Sequence, residues 1–234
     1  MGFVVIEGLD GSGKSTQVKM LRSLLAGRNI SHEYMHFPVV ESPYFGELVA
    51  RFLRGDLGSI AQVDPYVVAM LYAGDRFNAR PVMEEWINSG KFVLADRYVY
   101  SNIGFQCAKV SGDAEVEKLY HWIFDLEYNY FKIPKPDLSI FLDVPMDFVQ
   151  EKLANQRETD DRSYLQGKAD IHEADIEFQR KVRDMYLRAV ANDVNFVKID
   201  CTDSEGNMLS PGYIFGKITE TINNHMVLPR GIVL

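Results

Sequence analysis

A chain of 234 residues, 47% hydrophobic and 25% charged, carries enough apolar material for one large α/β domain, with or without a mobile insert. A net charge of −8 and a pI near 5.2 argue against a nucleic-acid partner or an acidic membrane surface, because both require a basic face. A small anionic substrate stays open, since a pocket needs only a few local cations.

Short β-branched or aromatic runs recur at 3–6 (FVVI), 32–37 (HEYMHF), 91–96 (KFVLAD), 138–144 (LSIFLDV) and 194–200 (VNFVKID), and longer helical patterns separate them. That alternation predicts βαβ units and a five-stranded parallel sheet with helices on both faces; the near-continuous apolar strands suit a doubly covered sheet. A helix is expected from Lys14 to about Ala26, and another starts near Ser42-Pro43. A long one opens on Asp64-Pro65, an N-cap followed by proline at the first helical position, and runs to about Asn88. Further helices are expected at 101–110, 113–130, 146–155, 170–191 and 211–224, and the polar, non-periodic stretch 154–170 reads as a mobile loop. Cys107 and Cys201 have no metal or redox spacing and read as small buried residues of a reducing compartment. No apolar run approaches the about 20 residues of a membrane span, and no targeting composition precedes the first strand, so a cytoplasmic protein is expected.

Ligands of such a sheet gather at the carboxyl ends of its strands. The first strand runs into Gly8-Leu9-Asp10-Gly11-Ser12-Gly13-Lys14-Ser15, which fits G-x-x-x-x-G-K-[ST] at every fixed position and has the required strand before and helix after. Glycines let successive N–H groups of Gly11, Ser12, Gly13 and the following Lys14, Ser15 and Thr16 face phosphate oxygens at a helix N-terminus. Lys14 should reach the β- and γ-phosphates of ATP, and Ser15 should ligate Mg²⁺. At the end of the third strand, Asp96 can hold the Mg²⁺ shell or orient the acceptor, and Arg97 can grip phosphate bidentately; the pair could equally be an ion pair capping the next helix.

Tyr72 and Arg76 lie four apart on one helix face, which suits a planar base, or else a core tyrosine beside a solvated arginine. Ser101 and Phe105 repeat that spacing, with Gln106 adjacent. The 154–170 loop carries Arg157, Arg162 and Lys168, either as cations brought to a transferring phosphoryl group by a closing element or as a solvated charged loop beside Glu158, Asp160 and Asp161. Asp143 and Asp200 also sit at strand ends, the former read mainly as a turn or cap residue.

Together, GLDGSGKST (8–16), His36-Phe37-Pro38, LYAGDRF (71–77), LADRYVYS (94–101) with GFQ (104–106), KPDLSIFLDV (135–144) and DIHEADIEFQRKVRDMY (170–186) resemble the thymidylate kinase family over the chain to about residue 224. The resemblance implies a single P-loop kinase domain over 1–234 with a lid at about 154–170, usually a homodimer, that moves the γ-phosphoryl of ATP to dTMP. It implies that Tyr72 stacks on thymine, Arg76 reads the base edge, Arg97 holds the dTMP phosphate, and Phe37 and Phe105 line the acceptor pocket. Asp10 matches the acid at the sugar 3′-hydroxyl or the monophosphate end, and Arg157 the arginine stacked on adenine. With Gly11 where some members carry a P-loop arginine, the lid must supply that charge, and Arg162 is the first choice. Val39-Val40 replace an acceptor-gripping arginine, and His172 replaces a lid tyrosine. A deoxynucleoside kinase, typically Glu-Arg-Ser after strand three, and a non-catalytic P-loop module are the alternatives; no Asn-Lys-x-Asp guanine motif is present.

Overall fold

Phe3–Gly8 (β1), His32–His36 (β2), Phe92–Asp96 (β3), Leu138–Asp143 (β4) and Phe196–Asp200 (β5) form one parallel sheet in the order β2-β3-β1-β4-β5, as seen in a computed structural model of the chain. The structure describes residues 2–154, 165–166, 170–172, 175–225, 227–228 and 233–234. Every residue of β1, β3 and β4 is buried, which is why these strands are apolar on both faces rather than alternating.

The crossovers carry Lys14–Gly27 (α1), Phe45–Leu53 (α2), Pro65–Asn88 (α3), Val99–Cys107 (α4), Asp113–Phe124 (α5), Met146–Ala154 (α6) and Ile176–Asn192 (α7), and Pro211–Asn224 (α8) follows the last strand. Helices α1 and α8 pack on each other, while α4 packs against α3, α5 and α7. The core follows from that arrangement, with Phe141 stacked on Tyr186 at 4.7 Å and Tyr100 on Phe196 at 3.9 Å between β4, β5 and the helices above them.

The expected elements form, with four shifts that have local causes. Helix α2 starts at Phe45 rather than Ser42, because the Asp75 carboxylate accepts from the Val39 amide (2.8 Å) and the Ser42 hydroxyl (2.7 Å) and holds 39–42 as a loop. Helix α4 begins at Val99, immediately after the Asp-Arg-Tyr turn, and ends at Cys107. The helix expected over 113–130 changes at Asp125 to π-helical winding that runs to Tyr130, and Glu127 within it is fully buried. Helix α7 begins at Ile176 rather than 170; Asp175 caps it by accepting from the Glu177 (2.9 Å) and Phe178 (3.1 Å) amides. The preceding Asp170–His172 turn is tied elsewhere, its Ile171 amide donating to the Leu53 carbonyl at 3.1 Å. Asp64 caps α3 as expected, and both cysteines are free and buried, burial pushing each thiol up to about 12. Among the described residues no helix is long and apolar enough to cross a membrane.

Gly74 lies where α3 meets α2, and a Cβ there would sit 2.4 Å from the Phe45 ring. Alanine would gain roughly 1 kcal/mol in helix propensity but cost roughly 1–3 kcal/mol in overpacking. Gly74→Ala should therefore lower the thermal midpoint by a few degrees, read by calorimetry; a higher midpoint would show that Phe45 yields freely.

Candidate active site

The carboxyl ends of β1 and β3 are neighbours because Ile6 pairs with Asp96, and the Arg97 amide extends the ladder to the Ile6 carbonyl at 3.0 Å. This juxtaposition sets the glycine-rich loop against Asp-Arg-Tyr across one cavity of about 430 Å³. Gly8 leaves no room for a side chain, since a Cβ would meet Ser12 Oγ at 2.6 Å, and Gly13, at φ 86°, turns the loop into α1. Gly11, Ser12, Gly13, Lys14 and Ser15 all line the cavity. Gly8 lies behind it, and Thr16 is exposed outside it. Lys14 Nζ donates to the carbonyls of Leu9 (2.8 Å) and Gly8 (3.2 Å); burial, helped by the Arg97 charge, draws its ammonium down to about 8.

Asp10 and Arg97 meet as an ion pair at 2.5 Å, and Gln179 of α7 donates to the second Asp10 oxygen at 3.3 Å. Burial alone would raise the Asp10 carboxyl, but the charges of Arg97 and Lys14 outweigh it and hold it at about 2. Arg97 has left-handed backbone (φ 66°), its guanidinium lies 5.2 Å from the Phe105 ring centre, and its Nη1 donates to the Ser101 hydroxyl at 3.1 Å. Asp96 faces His36 Nδ1 at 3.5 Å through one carboxylate oxygen, and the other is buried with no hydrogen-bond partner among the described residues. Burial works against that carboxyl, yet the His36 hydrogen bond and the Lys14 charge lower it.

At the far end, Arg76 is buried and forks onto Glu127 through Nε (2.5 Å) and Nη2 (2.6 Å). Asn102 Nδ2 donates to the same carboxylate (2.9 Å) and to the Ala69 carbonyl (3.0 Å), leaving Oδ1 buried with no hydrogen-bond partner among the described residues. Tyr72, half-buried, and the buried Phe37 and Phe105 line the same space. Gln106 does too, its Oε1 taken by Lys109 Nζ at 2.7 Å and its amide nitrogen without a hydrogen-bond partner among the described residues. His172 packs 4.8 Å from Phe105, and burial, then the Lys109 charge, hold its imidazole well below its usual range and so neutral.

Every sequence-derived acceptor residue, namely Asp10, Phe37, Tyr72, Arg76, Arg97, Ser101, Phe105 and Gln106, therefore lines one cavity. The open question over Tyr72 and Arg76 resolves: Arg76 is no solvated arginine but a buried member of an ion pair. Asp143 takes Arg183 bidentately at 2.6 and 2.9 Å, with Lys198 Nζ 3.5 Å away. Arg157, Arg162 and Lys168 lie outside the described residues. Sequence reasoning missed Asn102, Glu127 and Gln179. Only Gln179 carried a signal, standing in a helix stretch already singled out.

A family model described as thymidylate kinase matches residues 6–210. A probable thymidylate kinase of Pyrobaculum aerophilum is 31% identical over 82% of this chain and 85% of its own, and one of Thermococcus kodakarensis is 31% identical over 80% and 82%. The solved structure of thymidylate kinase from Candida albicans superposes with a TM-score of 0.71 at 21% identity, covering 97% of this chain and 92% of its own, and bears on the fold.

The Asp10 carboxyl sits near 2 when folded against an ordinary value of 3.8, so its stabilisation is complete above pH ~4 and is lost as pH falls through about 2. Between pH 6 and pH 3, wild type should lose roughly 1 kcal/mol more unfolding free energy than Asp10→Asn, measured by denaturant titration. Parallel pH profiles would refute the shift.

Proposed function

The chain belongs to the thymidylate kinase family and transfers the γ-phosphoryl group of ATP to dTMP, giving dTDP and ADP; from that premise we propose how its side chains divide the work. The observation that carries the assignment is the single cavity joining a phosphate loop at one end to a committed hydrogen-bonding pair at the other.

That pair is Arg76 and Asn102. Glu127 takes two N–H groups of Arg76 and the amide nitrogen of Asn102, so Arg76 keeps N–H donors for the cavity while Asn102 presents only its oxygen. A donor beside an acceptor complements O4 and N3–H of thymine. Cytosine, with an amino group and a bare N3 at those positions, presents the reverse. Tyr72 supplies the stacking face, and Arg97, held by Asp10, takes the acceptor phosphate. Lys14 and the loop amides hold the ATP phosphates. The substrate phosphate is already an anionic nucleophile, so positioning and charge neutralisation supply the rate, with no strong general base.

Mg²⁺ fits the donor set at Ser15 and Asp96: hard oxygens, one of them a buried carboxylate oxygen with no hydrogen-bond partner among the described residues, as suits an ion that takes one or two protein oxygens and completes its shell with phosphate and water. Bound there it neutralises charge on the β- and γ-phosphates. Arg162 of the 154–170 lid is assigned to the transferring group and Arg157 to adenine. Val67, Met70, Phe77 and Val82 of α3 are exposed apolar side chains that suit a two-fold partner, supporting a homodimer. The free cysteines suit a cytoplasmic enzyme.

Steady-state assays with ATP-Mg²⁺ across dTMP, dUMP, dCMP, dGMP and AMP should show dTMP preferred and dCMP strongly rejected. Phosphorylation of thymidine but not dTMP would overturn the assignment. Asn102→Ala should cost about tenfold in kcat/KM for dTMP and leave KM for ATP unchanged, the loss expected for one buried hydrogen bond. Arg162→Ala should lower kcat with little change in either KM, and an intact kcat would remove Arg162 from the lid role.

A further inference from the structure

Beneath the cavity, and outside its lining, Glu7 of β1 carries a fully buried carboxylate. It accepts from the Tyr98 amide (2.8 Å), the Ser101 amide (3.2 Å) and the Ser101 hydroxyl (2.6 Å), with the Tyr186 hydroxyl at 3.0 Å. An apolar side chain would fill that space without any desolvation cost, so a carboxylate there answers to something other than packing. Its partners surround Arg97. The Tyr98 amide follows Arg97 directly, and the Arg97 amide is held by Ile6, so both flanks of the left-handed residue are fixed. The Ser101 hydroxyl gives its one proton to Glu7, which turns its oxygen toward Arg97 Nη1.

We infer that Glu7 is a positioning residue for the acceptor phosphate, aiming Arg97 through Ser101 and the Tyr98 amide, with Tyr186 tying the group to α7. The tie has a counterpart: Gln179, two turns earlier on α7, donates to Asp10 and to the His172 carbonyl (2.9 Å). Both members of the Asp10–Arg97 pair are thus anchored to the helix that follows the 154–170 segment. The Ser101 hydroxyl is consumed in this arrangement and acts on substrate through Arg97 rather than directly.

The inference rests on Arg97 holding the acceptor phosphate, so the test separates the two. Dissociation constants for dTMP and for thymidine, which lacks the phosphate, are measured calorimetrically in wild type, Glu7→Gln, Tyr186→Phe and Arg97→Gln, with thermal midpoints alongside. Tyr186→Phe removes one hydroxyl and keeps the ring, so it carries the test if Glu7→Gln fails to fold. Wild type should prefer dTMP to thymidine, and Arg97→Gln should abolish that preference. Tyr186→Phe and Glu7→Gln should weaken dTMP at least fivefold while changing thymidine less than twofold. In the Arg97→Gln background, Tyr186→Phe should leave the ratio unaltered. Equal weakening of both ligands, or no change in either, overturns the role of Glu7. If Arg97→Gln keeps the wild-type preference, the assignment of Arg97 falls, and the inference with it.

Discussion

The register of β1 against β3 is the constraint from which the site follows. With Ile6 opposite Asp96 and the ladder extended from Ile6 to the Arg97 amide, two segments almost ninety residues apart end at one level. The glycine-rich loop turns away from one strand end and Arg97 from the other, so Asp10 and Arg97 meet as an ion pair. A slip of one residue would turn the side chains of β3, Asp96 included, to the other face of the sheet, because side chains alternate along a strand.

The site is held by buried charges, and they explain geometry better than stability. Arg76–Glu127 is almost wholly removed from solvent, and pairs of this kind gain little over an apolar replacement, whereas breaking one costs about 3–5 kcal/mol. Their worth lies in commitment. Glu127 fixes the plane of the Arg76 fork and the orientation of the Asn102 amide, Asp10 fixes Arg97, and Glu7 fixes the serine behind it. Arg76, Asn102, Arg97 and Ser101 each take their orientation from a carboxylate set beside or behind them.

Much of this was legible in the chain because it is written locally. The phosphate loop is a run of eight residues whose glycines and lysine carry their own reason, and Asp96-Arg97 follows an apolar strand at the end where ligands gather. Tyr72 and Arg76 share a face by helical spacing alone. What stayed hidden was long-range pairing. Glu127 sits fifty-one residues from Arg76 in the polar-looking run DLEYNY, and nothing local names Arg76 as its partner. Glu7, just after the apolar run 3–6, likewise finds its partners Tyr98, Ser101 and Tyr186 only at long range.

By itself the sequence determined the alternation of strand and helix, the glycine-rich loop and many of the residue types that line the cavity, since periodicity and backbone chemistry act over a few neighbours. Tertiary structure alone decided which charges are partners, that Arg76 is buried rather than solvated, and that Asn102 offers an oxygen and not a nitrogen. Those outcomes depend on groups brought together from distant segments, and a hydrogen bond takes its direction from the partner it finds.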